Sequence, residues 1–77
     1  MNIEKLLEWI DAVQDNLDWQ IILKKDRANL RESVISAHRS PSRTHQKRLW
    51  RKLVKTNDEI IEAEEELYKL SLDSPTL

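Results

Sequence analysis

The chain contains no glycine and only two prolines, Pro41 and Pro75, among its 77 residues. Tight turns and β-hairpins draw on Gly, Pro or Asn-Gly to reach their backbone angles. A chain without them is built to form helices joined by few connections. Charged residues make up 35% of it, mostly the helix formers Glu, Lys and Arg. The expected fold is therefore all-α, a two- or three-helix hairpin or bundle. A domain this small buries only ~60% of its unfolded surface and is marginal alone. Cysteine is absent, so no disulfide can staple it. His38 and His45 lack any Cys partner and any spacing suited to zinc, so no metal and no cofactor is expected. Tight helix packing or self-association remains as the source of stability.

Apolar spacing locates the helices. Ile3, Leu6, Ile10, Val13 and Leu17 follow a 3-4-3-4 pattern, one helical face. From Leu23 the stripe continues through Leu30, Val34 and Ala37, on a face rotated well away from the first. Coiled-coil drift of about 20° per heptad explains only part of that rotation. Asp18 is a suitable cap for a restart at Trp19, with Leu17 and Ile22 in staple positions. The absence of Gly and Pro argues for continuity instead. The reading favours a break near 16–18, giving helices of about 2–16, 18–38 and 41–71, with one continuous first helix as the alternative. Ser40-Pro41-Ser42 marks the next boundary: Ser40 as N-cap with Pro41 at the first helical position fits, and Thr44 competes. Residues 1–72 read as one domain and 73–77 as a flexible tail.

The last helix has the most regular pattern. Leu53, Ile60 and Leu67 occupy a positions, and Leu49, Thr56, Ala63 and Leu70 occupy d positions, a coiled-coil-like seam. Beside it runs a second ridge, Trp50, Val54, Ile61 and Tyr68, which widens the apolar face beyond a two-stranded seam. Trp50 is expected to pack in the core. Self-association is expected through Leu49, Leu53, Ile60, Leu67 and Leu70.

Charge is sharply segregated. Residues 24–55 carry eleven Lys/Arg and two acids, Asp26 and Glu32, a net of +9, between flanks of −4 (residues 1–23) and −6 (residues 56–77). Local field rather than the total of −1 decides which partners are attracted. A simple hairpin gathers like charges at both ends. Two arrangements relieve that: a three-helix bundle with the first helix folded back, or an antiparallel helical dimer, which is the expected assembly.

The segment 38–55 contains no acid and seven Lys/Arg. Arg39, Arg43, His45, Lys47, Arg48, Arg51, Lys52 and Lys55 are the candidate anion- or partner-binding residues, near a helix N-terminus where free N–H groups favour anions. Glu4, Glu8, Asp11, Asp15 and Asp18 form a possible acidic docking face. Both sets also fit plain solvated surfaces. No Gly-rich phosphate loop, nucleophile set or paired acid and base is present, so an enzyme is not expected. The expected function is a small non-enzymatic regulator, adaptor or inhibitor that binds another macromolecule, a protein first of all, through charged helix faces and self-associates through its apolar seam. A nucleic-acid or nucleotide binder using the basic elbow is the alternative. There is no signal-peptide pattern, and the longest apolar run, Ile21-Ile22-Leu23, is far short of the ~20 residues needed to span a bilayer. No membrane partner is expected, and the expected location is cytoplasmic.

Overall fold

A computed structural model describes residues 2–75. Two helices account for nearly all of them: α1, Ile3–Ala37, and α2, Arg43–Leu72. They pack against each other as a hairpin of 61 × 15 × 12 Å. There are no strands among the described residues. Residues 76 and 77 of the expected tail lie outside the described residues.

α1 is uninterrupted for 35 residues. The expected break near 16–18 does not occur, and Asp18 caps nothing. Its carboxylate instead accepts a bond from Gln14 Nε2 at 3.0 Å, one turn back on the same helix. The apparent change of phase has another cause. The inward face of α1 runs Leu6, Trp9, Val13, Asn16, Gln20, Leu23, Arg27, Leu30, Val34 and Ala37, all buried or half-buried. That is an unbroken alternation of three and four, the spacing of a two-helix seam. Three of its members are polar, so an apolar count loses the thread between Val13 and Leu23. Ile3, Ile10 and Leu17, assigned from sequence to the inward face, are exposed. Apolar residues on two sides of α1 largely cancel in direction, and α1 is much less one-sided in hydropathy than α2.

α2 supplies the opposing face. Leu49, Leu53, Thr56, Ile60, Ala63, Leu67 and Leu70 are all buried or half-buried. Leu23 and Ile60, each 2% exposed, form the core with Ala63. Full burial of such side chains stabilises by ~1.5–3 kcal/mol each. The small Ala63 lets the helices approach closely enough for Asn16 Nδ2 to donate to the Ala63 carbonyl at 2.9 Å. Further along, Trp9 Nε1 donates to the Leu70 carbonyl at 2.7 Å, in the last turn of α2 where carbonyls lack helical partners.

The connection works without glycine. α1 ends in tightened bonds, Arg39 N–H to the Ser36 carbonyl and Ser40 N–H to the Ala37 carbonyl. No described residue takes a positive φ. Ser42, not Ser40 or Thr44, is the N-cap of α2: its hydroxyl accepts the His45 N–H at 3.3 Å. Ser40 is otherwise engaged, its hydroxyl with the Ser42 N–H and its carbonyl with Gln46 Nε2 at 2.7 Å. Pro41 therefore precedes the cap rather than opening the helix.

Candidate functional site

The hairpin brings the charged segments to opposite ends. Residues 24–55 fold around the connection, so the +9 segment forms one end of the rod. The N-terminal half of α1 lies beside the C-terminal half of α2, as the Asn16–Ala63 and Trp9–Leu70 bonds require. The flanks of −4 and −6 therefore meet at the open end. The fold-back that would have mixed these charges is ruled out by the continuous α1.

At the basic end, Arg39, Arg43, His45, Lys47, Arg48, Arg51, Lys52 and Lys55 are all exposed. Lys47, Arg48, Arg51 and Lys52, with Thr44, line a shallow depression of about 420 Å³ on the outer side of α2. No acid lines it. Among the described residues the ion pair found is Lys24 Nζ to Glu64 Oε1 at 4.0 Å, between half-exposed side chains. Such a pair is worth little. Among the described residues the elbow cations thus have no carboxylate partner, and the first turn of α2 holds no acid to offset the helix dipole.

Arg27 differs from the other cations. It sits on the inward face, half-buried, and Nη1 donates to Asn57 Oδ1 at 3.1 Å. Together with Lys24, Arg31, Ala28, Trp50 and Val54 it lines a groove of about 530 Å³ on one side of the hairpin. Trp50 is 57% exposed, not the core residue the sequence implied. Its ring stands beside three cations.

The acidic candidates Glu4, Glu8, Asp11, Asp15 and Asp18 are all exposed on α1. Glu4 follows the N-cap Asn2, whose side chain accepts the Glu4 N–H at 3.0 Å, so its charge complements the helix dipole. The five acids lie near the open end, away from the elbow cations, so the chain does not pair its two charged sets. No group of three His, Cys, Asp or Glu side chains is arranged to hold a metal ion among the described residues. No described helix is long and apolar enough to cross a membrane.

The expected self-association seam is used inside the chain. Leu49, Leu53, Ile60, Leu67 and Leu70 face α1, which covers them. What stays uncovered is the ridge beside it. Trp50, Val54, Ile61 and Tyr68 are exposed on α2, and Ile3, Leu7, Ile10, Leu17, Ile21 and Ile35 on α1. These six fall on the 3-7-10-14-17-21-24-28-31-35 alternation, interrupted by Gln14, Lys24, Ala28 and Arg31, whereas Trp19 and Ile22, also exposed, lie off it. Ala28, Trp50 and Val54 share the groove, and residues seven apart on a helix lie on one stripe. Both exposed stripes therefore flank the same side of the hairpin. Exposed apolar side chains thus recur along one side of the hairpin, with Gln14, Lys24 and Arg31 among them.

Sequence reasoning missed the polar inward residues Asn16, Gln20 and Arg27. The signal was present: stepping back by three and four from Leu23 reaches Gln20, Asn16, Val13, Trp9 and Leu6. No protein-family model, curated protein or solved structure matches this chain. The fold and site define a two-helix, all-α hairpin with one apolar side and oppositely charged ends.

Proposed function

We propose that this protein is a non-catalytic docking module, a regulator, adaptor or inhibitor that works as a self-associated helical hairpin. Its basic outer face on α2 recognises an acidic protein surface. The observation that carries the reading is the cluster of Lys47, Arg48, Arg51 and Lys52 around one depression, with no acid among its lining and no ion pair to another described residue. Cations left unsatisfied at a helix N-terminus create a positive field that a partner's carboxylates can neutralise. The apolar side provides a surface for self-association through Val54, Ile61 and Ile21, in place of the internal seam.

A second reading has its own support. Trp50 is exposed beside Lys24, Arg27 and Arg31, the combination of aromatic platform and cations that suits single-stranded nucleic acid. Both readings are tested by fluorescence anisotropy with a labelled polyglutamate peptide and with labelled oligonucleotides, at low and near-physiological salt. The comparison protein carries Arg48→Glu, Arg51→Glu and Lys52→Glu. Peptide binding that is lost in this variant supports the docking reading. Oligonucleotide binding that persists at near-physiological salt and falls steeply as salt rises further moves the assignment to nucleic acid. Binding of neither probe removes the basic face as the recognition surface.

A further inference from the structure

We infer that the apolar side of the hairpin is closed by a second copy of this chain laid antiparallel, its acidic open end over the Trp50 groove of the first. The inference rests on the self-association proposed above and specifies its occupant and direction.

Three observations carry it. The first is spacing. Within the hairpin, α1 and α2 meet through one alternation of three and four. On α1 the exposed stripe from Ile3 to Ile35 is a second alternation with the same period, turned toward the side where Trp50 and Val54 stand on α2. A helix with two adjacent seams is built for two neighbours, the requirement of a four-helix arrangement. One neighbour is already present.

The second is area. The whole hairpin is 61 × 15 × 12 Å, so a long face offers at most about 900 Å² in projection. A stable interface needs about 800 Å² per partner. A second identical face matches it in length and in character.

The third is charge, which selects the direction. The elbow end carries +9, and the two flanks that meet at the open end carry −4 and −6. A parallel pair would set +9 against +9 and acid against acid. An antiparallel pair sets each acidic end on a basic one. In that arrangement α1 crosses its own copy near the midpoint of the stripe, within a turn of Ile21. Lys24, Arg27 and Arg31 then stand level with the stretch from Asp18 to Asp11 of the other copy. Tyr68, at the acidic end of α2, comes over the groove beside Trp50. The groove has three cations and no acid, so it is matched by that end and not by its own.

Sedimentation equilibrium of the full chain, followed by pulsed dipolar EPR, tests this. Glu8→Cys is used for the spin label because Glu8 is exposed away from the apolar side and the chain has no other cysteine. A dimer with label-to-label distances of about 40 Å is expected, from ~1.5 Å of rise per residue on either side of the crossing point. A dimer with distances of about 20 Å would overturn the antiparallel arrangement and leave self-association standing. A monomer across the concentration range would overturn both. Ile21→Glu is the companion variant. Ile21 is 66% exposed in the single hairpin, so helicity should be unchanged while the dimer weakens about 30-fold or more. An unchanged dimer affinity in this variant would also overturn the proposal.

Discussion

Asn16→Ala should destabilise the hairpin by ~1–3 kcal/mol, and removing Gln20 as well should cost less than the sum of the two single losses. The two side chains form a buried ladder. Asn16 Nδ2 donates to the Ala63 carbonyl at 2.9 Å, and Asn16 Oδ1 accepts from Gln20 Nε2 at 2.7 Å. Gln20 Oε1 in turn faces Lys24 Nζ at 3.4 Å. Asn16 is 7% exposed and Gln20 5%, so water cannot readily replace a lost partner. The Ala63 carbonyl lies inside α2 and keeps its helical donor, so losing the Asn16 bond costs it little. The Gln20 amide has no such second partner for Nε2, and an unsatisfied buried donor carries its full desolvation cost. Gln20→Ala alone should cost about 1 kcal/mol, because Asn16 retains its bond to Ala63 while Oδ1 loses its donor. In the double variant no orphan remains. The summed single losses should therefore exceed the double loss by about 1–2 kcal/mol, within the range seen for contacting polar pairs. Urea unfolding followed by far-UV circular dichroism, at one protein concentration for all four proteins, measures the cycle. Additivity within ~0.5 kcal/mol would refute the idea that the two residues act as one buried unit.

Other variants test separate parts of the fold. Ile60→Ala, at the centre of the core, should cost ~2–5 kcal/mol in the same urea assay and show which contact dominates the packing. Ser42→Ala should cost ~1 kcal/mol through loss of the α2 cap, whereas Thr44→Ala should lie within about 0.5 kcal/mol of the parent. Equal effects at the two positions would contradict Ser42 as the cap. Trp9→Phe keeps an aromatic ring but removes the indole N–H that donates to Leu70 and some packing volume, so it should cost about 1–2 kcal/mol and speed amide exchange in the last turn of α2.

The fold class was legible in the sequence because the absence of glycine and the 4-3 spacing of α2 are local signals. The inward face of α2 was read residue by residue, from Leu49 to Leu70. α1 was harder for a physical reason. Ile3, Ile10 and Leu17 obey helical spacing as well as any core stripe, yet they belong to an outward face. The true seam passes through Asn16, Gln20 and Arg27, which no hydrophobic count selects. Burial of Asn16 depends on a carbonyl 47 residues away, on Ala63. Such a partner exists only once the hairpin forms. The same misreading produced the break at 16–18, since a seam that loses its apolar members looks like a change of phase. The candidate charged residues were legible as a segregated segment. Their failure to pair within the chain followed from the continuity of α1.

The polar rungs in the seam connect these points. Replacing a buried polar pair by apolar residues often leaves stability unchanged or raises it, so the ladder is a poor device for stability. It is a good device for register. Asn16 donates to the Ala63 carbonyl and Arg27 to Asn57 Oδ1 in one and the same alignment of the helices. A slip of one heptad would set Asn16 against Thr56 or Leu70 and break its bond to the Ala63 carbonyl, at ~1–3 kcal/mol, while the Gln20 bond within α1 would persist. An all-leucine seam would have no such penalty for sliding. Fixed register matters here because it aligns the features outside the seam: it sets Lys24 against Glu64, brings Arg27 and Arg31 to Trp50, and places the exposed stripe of α1 on the side where Val54 and Ile61 stand. The inward face thus determines whether the outward one forms a continuous surface.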